Sequence, residues 1–304
     1  CTPGATSRRR GALPSAPVAV IDYDHNLRRM SFKYGGLRDS IVDAIRRGTE
    51  GRNVGVAFSG GLDSGLAAAV SKDYADSVVL YTCGTDTSHD VVMARDLSER
   101  IGLPWVHVKI SRDNVESLIR EMMAATDVRD PFTISYELQL FSVCRASGED
   151  VILTGQGADE YFMGCAKFVG CPYADYEIFR KDSVKRLLEV SVPCERAIAA
   201  HFGKDIVYPY MDQSVVTEVG KIGPEVLRPK DMDSRKAVLR EVALDLGHPV
   251  IAERKKKSSQ YGSGTTDIIR ALAKEKGMMY NQYIASIYDV VKGNGIRIED
   301  SDIY

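Results

Sequence analysis

Between residues 36 and 155, short apolar runs alternate with stretches in which apolar residues recur every three or four positions. The stretch 36–48, "GLRDSIVDAIRRG", sets Leu37, Ile41, Ala44 and Ile45 on one face and predicts a helix closed by Gly48. Strands are predicted at 54–58, 77–84, 105–110 and 150–155, and helices at 65–75, 90–102, 112–125 and 135–147. Past residue 160 the strand signal fades, and 173–203, 212–222, 234–247 and 265–293 predict helices. Apolar strands alternating with helices predict an α/β fold: a doubly wound parallel sheet covered on both faces, with a helical C-terminal extension. Ligands of such sheets bind beyond the carboxyl ends of the strands. Residues 1–35 read as a lead-in segment and 36–304 as one domain.

Composition changes this picture little. The chain has 304 residues, 44% hydrophobic and 27% charged, with net charge −2, so nothing in its overall balance points to nucleic acid or an anionic membrane as partner. No apolar run has the length of a membrane span. The six cysteines form no Cys-x-x-Cys pair, which argues against zinc and for scattered thiols in a reducing compartment; cytoplasm is the expectation.

The chemistry concentrates at 54–65, "VGVAFSGGLDSG", where an apolar strand ends abruptly in Ser-Gly-Gly-Leu-Asp-Ser. Gly60 and Gly61 allow a sharp bend and close approach of a ligand. The amide groups opening the next helix then point into the bend and favour an anion. Ser59 and Ser64 add hydroxyls. Asp63 repels a phosphate unless a cation lies between them, which suits Mg²⁺. A second strand, in "VILTGQGADEYFMG" (151–164), also ends in glycines, Gly155 and Gly157, with Asp159 following. The bland alternative for both aspartates is a helix N-cap.

The first of these segments resembles the pyrophosphate-binding loop of the adenine nucleotide alpha-hydrolase-like enzymes, whose motif is Ser-Gly-Gly-x-Asp-Ser. The second resembles the Ser-Gly-Glu/Gln-Gly-Ala/Ser-Asp-Glu-x-Phe-Gly-Gly element of asparagine synthetases and their β-lactam-forming relatives. Further likenesses follow in the same order: "YTCG…SHDVVMARDLSERIGL" (81–103), "VYPYMD" (207–212), "RKAVLRE" (235–241) and "ERKKKSSQYGSG" (253–264). The resemblance implies an enzyme that uses ATP and Mg²⁺ to adenylate a substrate carboxylate, releases pyrophosphate, and forms an amide with ammonia or another amine. Asparagine from aspartate is the first guess. It implies that Ser59, Gly60, Gly61, Ser64, Gly155 and Gly157 cradle the nucleotide, that Asp63 and Asp159 hold Mg²⁺, and that Thr82, Cys83 and Gly84 meet the adenine. Lys236 and Lys256 are the implied phosphate-facing cations and Gln156 an orienting amide; otherwise such lysines are solvated surface charges.

The pattern departs from that family in three places. Cys1 begins "CTPGA", unlike the Cys-Gly-Ile start of a glutaminase, so the amine is expected free or from a separate glutaminase subunit; a homodimer is a further expected partner. Position 156 is Gln where many asparagine synthetases carry Glu, so no carboxylate is available there to accept a proton. In "DPFTISYELQLFSV" (130–143), Ser135 stands where an Arg often clamps the acidic substrate, and Glu137 reads either as a helix-surface residue or as a partner for a substrate amine. The rival expectations are a nucleotide-binding subunit that relies on a separate glutaminase, and a tRNA-modifying enzyme using the same adenylation.

Overall fold

The computed structural model describes residues 33–254 and 262–293. Helix α1 (Gly35–Thr49) leads into β1 (Asn53–Ala57), α2 (Leu62–Ser71), β2 (Ser77–Gly84), α3 (His89–Ile101) and β3 (Trp105–Lys109). Then come α4 (Val115–Thr126), α5 (Pro131–Ala146), β4 (Val151–Leu153) and the single turn α6 (Ala158–Tyr161). The C-terminal half holds α7 (Tyr173–Arg186), α8 (Val192–His201), β5 (Asp205–Val207), α9 (Gln213–Gly220), α10 (Pro224–Leu227), α11 (Ala237–Asp245), α12 (Pro249–Ala252), α13 (Thr265–Glu275) and α14 (Tyr280–Val291).

All five strands are parallel, in the order β3-β2-β1-β4-β5. The chain steps outward from β1 in one direction, then returns to its other side, so the order reverses between β1 and β4. That reversal leaves a crevice at the strands' carboxyl ends. This is the expected doubly wound parallel sheet.

The alternation along each strand separates the core into two layers. Val54, Val56, Leu80, Val151 and Leu153 face one layer with Ile41, Ile45, Leu66 and Leu97. Tyr81, Cys83 and Ile152 face the other, with Ile119, Met122, Phe141, Ile198 and Tyr283. Side chains of a strand point alternately to opposite faces, so a strand flanked by helices on both sides must be apolar at every position. Gly55 breaks the pattern because Ile152 and Tyr81 already fill its place: a Cβ there would come within 3.1 Å of Ile152 Cδ1.

Several boundaries differ from the sequence pattern for local reasons. Helix α5 starts at Pro131 rather than 135, because Asp130 accepts a hydrogen bond from the Thr133 amide at 2.9 Å and Pro131 occupies the first turn. The helix expected over 173–203 contains a widened π turn at Leu187–Ser191, just before Pro193, whose ring nitrogen has no hydrogen to donate. Gly277, at φ 69°, splits the helix expected over 265–293. Strand β5 escapes the pattern altogether: its three residues leave no room for a period-2 signal, and it forms because β4 offers it an edge. Among the described residues no helix is long and apolar enough to cross a membrane.

The helical extension is tied to the sheet domain through Glu116 on α4. Its carboxylate accepts from Tyr283 Oη at 2.5 Å and from Arg120 at 2.6 Å, and lies 3.2 Å from Lys276 Nζ. The Tyr283 hydrogen bond above all, then Arg120 and Lys276, lower its pKa from 4.5 to about 2, against the opposing effect of burial. The depressed folded pKa means the stabilisation is complete above the unfolded value and is lost as pH falls toward the folded one. Because the carboxylate is partly solvated, Glu116→Gln is expected to cost only about 1 kcal/mol at pH 7. Urea midpoints should show the gap between wild type and variant narrowing as pH drops from 7 to 3; a constant gap would contradict the assignment.

Candidate functional site

At the carboxyl end of β1 the chain turns at Ser59-Gly60-Gly61 into α2. Gly60 has φ +70°, and a Cβ on it would stand 2.5 Å from the Ala94 amide nitrogen of α3, so the turn needs glycine on both counts. Gly61 caps α2 in an extended conformation. The Ser59 amide donates to Ser64 Oγ at 3.2 Å, and the two hydroxyl oxygens lie 3.3 Å apart, so the loop folds over the first turn of α2. Asp63 stands in that turn, 6% exposed. Its backbone carbonyl accepts a 2.7 Å hydrogen bond from the buried hydroxyl of Tyr210, and burial pushes that phenol's pKa well up and keeps it a donor.

From the neighbouring strand β4 the chain passes Thr154, Gly155, Gln156 and Gly157 into α6, where Asp159 sits. A Cβ on Gly155 would lie 3.0 Å from Asp63 Cβ, so the two turns nearly touch. Between their carboxylates lies Lys236. Its Nζ is 2.5 Å from Asp63 Oδ2 and 2.6 Å from Asp159 Oδ1, and the residue is only 5% exposed. The two aspartates expected at separate strand ends are thus brought together, with a lysine ammonium at the point where they converge.

The lysine is positioned by its backbone rather than by a helix face. It precedes α11 with φ +56°, an uncommon conformation for a residue with a Cβ. Gly164, from the end of the "YFMG" segment, makes room: a Cβ on it would lie 2.0 Å from both Asp159 Oδ1 and Lys236 Cε. Arg235 donates to the Gly164 carbonyl at 3.1 Å and holds the two segments in register. Arg240, one turn on, donates to the Arg235 and Ala252 carbonyls. Burial lowers its pKa, and Asp63 partly opposes that effect.

A cavity of about 140 Å³ opens beside this cluster. Ser59, Asp63, Ser64, Gly155, Gln156 and Asp159 line it, with Thr82 and Cys83 from β2. Thr82 Oγ1 donates to the Phe58 carbonyl at 2.6 Å and accepts from Trp105 Nε1 at 2.9 Å, so that hydroxyl is held within the wall. Burial raises the Cys83 thiol to about 12, which keeps it neutral and leaves it a shape-giving role. Gly84 packs against Ser88 and the Ser263 carbonyl. Lys256 and Cys1 lie outside the described residues. Arg254, at the start of the same basic run, is paired with Asp96 of α3 and near Met93 Sδ.

The wall formed by α5 and α8 corrects one expectation. Glu137 is not a helix-surface residue but 2% exposed and part of the cavity lining, as is Glu195, which is 3% exposed. Ser135, at the position where an Arg often clamps the acidic substrate, donates to the Phe132 carbonyl at 2.8 Å and does not line the cavity. Tyr210, Arg240, Gly164 and Glu195 were not singled out from the sequence. Tyr210 lies inside the quoted "VYPYMD" and was within reach. Glu195, in the helical run "VPCERAIAAH", carries no local signal. Among the described residues no three His, Cys, Asp or Glu side chains gather as a metal cluster, so any divalent ion here would have at most two carboxylates and complete its shell with ligand oxygens.

The asparagine synthase family model matches residues 36–189, from α1 through both aspartate turns into the π turn. A putative glutamine-hydrolyzing asparagine synthetase of Methanocaldococcus jannaschii is 28% identical over 280 residues, covering 79% of this chain and 51% of its own length. The carboxyethyl-arginine beta-lactam-synthase of Streptomyces clavuligerus is 26% identical, covering 88% of this chain and 53% of its own. Asparagine synthetase B of Escherichia coli is 26% identical over 77% of this chain and 47% of its own. The chain spans about half the length of these relatives.

Removing the central cation tests the cluster. Lys236→Met leaves two carboxylates facing each other in a largely dry site and is expected to cost about 3–5 kcal/mol. Adding Asp159→Asn should restore part of that loss. Urea denaturation of the two variants checks this; equal midpoints for wild type and Lys236→Met would show that the lysine does not neutralise the pair.

Proposed function

We propose, from the premise that this chain belongs to the asparagine synthase family, that it is an ATP-dependent ligase that adenylates a carboxylate and joins it to an amine. The observation carrying the reading is the convergence of Asp63, Asp159 and Lys236 at the reversal point of the sheet, beside a serine-glycine turn that opens a helix. A helix N-terminus and a bend of amide groups bind phosphate oxygens. In this reading Ser59, Gly60, Gly61 and Ser64 hold the β and γ phosphates of ATP, while Gly155 and Gly157 let the second turn approach closely. Thr82, Cys83 and Gly84 form the adenine wall.

The two carboxylates fit Mg²⁺, which is held by one or two such groups together with phosphate oxygens. When bound, the ion neutralises charge on the departing pyrophosphate. Lys236 faces the same point and supplies a fixed ammonium as charge builds on the α-phosphate during attack by the substrate carboxylate. The carboxylate oxygen bonds to the α-phosphorus and pyrophosphate leaves. The amine then bonds to the acyl carbon, AMP leaves, and the amine sheds a proton. Gln156, at the cavity edge, orients the acyl group through its amide. Aspartate with ammonia, giving asparagine, is the first substrate pair to try. Among the relatives, the asparagine synthetase and β-lactam synthase names support amide formation as the common outcome. Glutamine-hydrolysing relatives support a glutaminase as the amine's source.

Incubation with ATP, Mg²⁺ and a panel of carboxylic acids including aspartate should give ATP–pyrophosphate exchange, with AMP release when ammonium is added. Asp63→Ala is expected to lower exchange by about 10²–10³-fold, the scale seen when one preorganised electrostatic group is removed. Exchange no faster than in the Asp63→Ala control for every acid would overturn the ligase reading.

A further inference from the structure

Two buried carboxylates are hard to keep without a counter-charge, because each ionised group loses its hydration and repels the other. Glu137 on α5 and Glu195 on α8 are such a pair, on helices that pack together. Glu137 Oε1 and Glu195 Oε2 have no hydrogen-bond partner, although both residues are more than nine-tenths buried. Both line the cavity beside the Asp63 turn, as do the ring of Tyr136 and Gln139, whose Oε1 is also without a partner. Among the described residues the surroundings do not supply the missing cation. Arg186 acts on Glu137 from a distance, but its guanidinium lies 4.5 Å over the Phe132 ring and 3.9 Å from Asp130. Ser191 faces Glu137, Tyr208 faces Glu195, and Glu160 adds a further negative charge near Glu195. Lys204, near the end of α8, is turned to the Ser147 and Glu149 carbonyls.

Burial raises Glu195 to about 8 and Glu137 well above the usual carboxylate range, which favours the neutral forms of the pair when no cation faces them. An arriving cation restores ionisation and releases a proton. An aromatic ring in the same wall adds a favourable face for a cation. Among the described residues this wall therefore presents unpartnered carboxyl and amide oxygens with no cation against them, unlike the serine-glycine turn across the cavity.

We propose that Glu137 and Glu195 form a receptor for an ammonium group on the substrate side of the cavity. The ligand class is a small primary amine, either free or carried on the carboxylic acid that is adenylated. Its place in the reaction rests on the ligase reading above; the binding itself does not.

Calorimetry with the whole chain tests it, using ω-amino acids from β-alanine to 6-aminohexanoate, alkanoic acids in which a methyl replaces the ammonium, and methylammonium chloride. Binding of at least one ω-amino acid at least tenfold tighter than its alkanoic partner is expected, with affinity rising from pH 6 to pH 8.5 as the pair gives up its proton. Methylammonium binding as tightly as the amino acids assigns the site to a free amine; much weaker binding assigns it to an amine on the acid. Glu137→Gln and Glu195→Gln should each erase the tenfold preference while ATP binding persists. Failure of every amine to bind wild type, or unchanged preference in both variants, overturns the proposal. If the variants do not fold, a flat pH dependence in wild type overturns it alone. Amine binding without any ATP–pyrophosphate exchange separates failure of the ligase reading from failure of this one.

Discussion

The candidate site depends on one electrostatic arrangement: a buried ammonium held between two carboxylates that arrive from different strand ends. Asp63 and Asp159 lie on α2 and α6, which follow the adjacent parallel strands β1 and β4. Bringing both so near would be costly in a dry crevice without a positive charge between them. Lys236 provides it at 2.5 and 2.6 Å. Much of the surrounding detail serves that contact. Gly164 clears space for the lysine stem, Arg235 pins the segment before it, and Tyr210 fixes the backbone of Asp63.

The sheet topology explains why the contact falls where it does. With β1 central and β4 beside it, the crossovers before and after the reversal diverge, and the carboxyl ends of these two strands border an open crevice. The core on both faces is apolar and tightly filled, so the polar residues that cannot be buried in the sheet gather at that end. A serine-glycine turn, a carboxylate pair and a cavity thus share one place without any long loop to build it.

The cavity has two chemically distinct walls. The turns after β1 and β4 offer amides, hydroxyls and a lysine held between two carboxylates. Among the described residues, the wall from α5 and α8 offers carboxyl oxygens with no cation against them. A ligase that brings a triphosphate to a carboxylate and an amine needs this kind of separation.

Much of the fold was legible in the sequence because its signals are local. The strands β1 to β4 and the Ser-Gly-Gly-Leu-Asp-Ser turn follow from residues close together in the chain, where side-chain period and backbone freedom act directly. The convergence of Asp63 and Asp159 was also expected, because each ends a strand and parallel strands share one end. Tertiary structure alone decided the rest. Strand β5 is too short to announce itself and exists because β4 offers an edge. Lys236 is a phosphate-facing cation by resemblance, but its seat between the carboxylates requires a left-handed backbone and the space left by Gly164, 72 positions earlier. Glu137 and Glu195 look like ordinary charges on helical runs; only the packing of α5 against α8 strips them of water and turns them into the cavity. Burial and long-range charge depend on what surrounds a residue in space, and a sequence read along one dimension does not contain that environment.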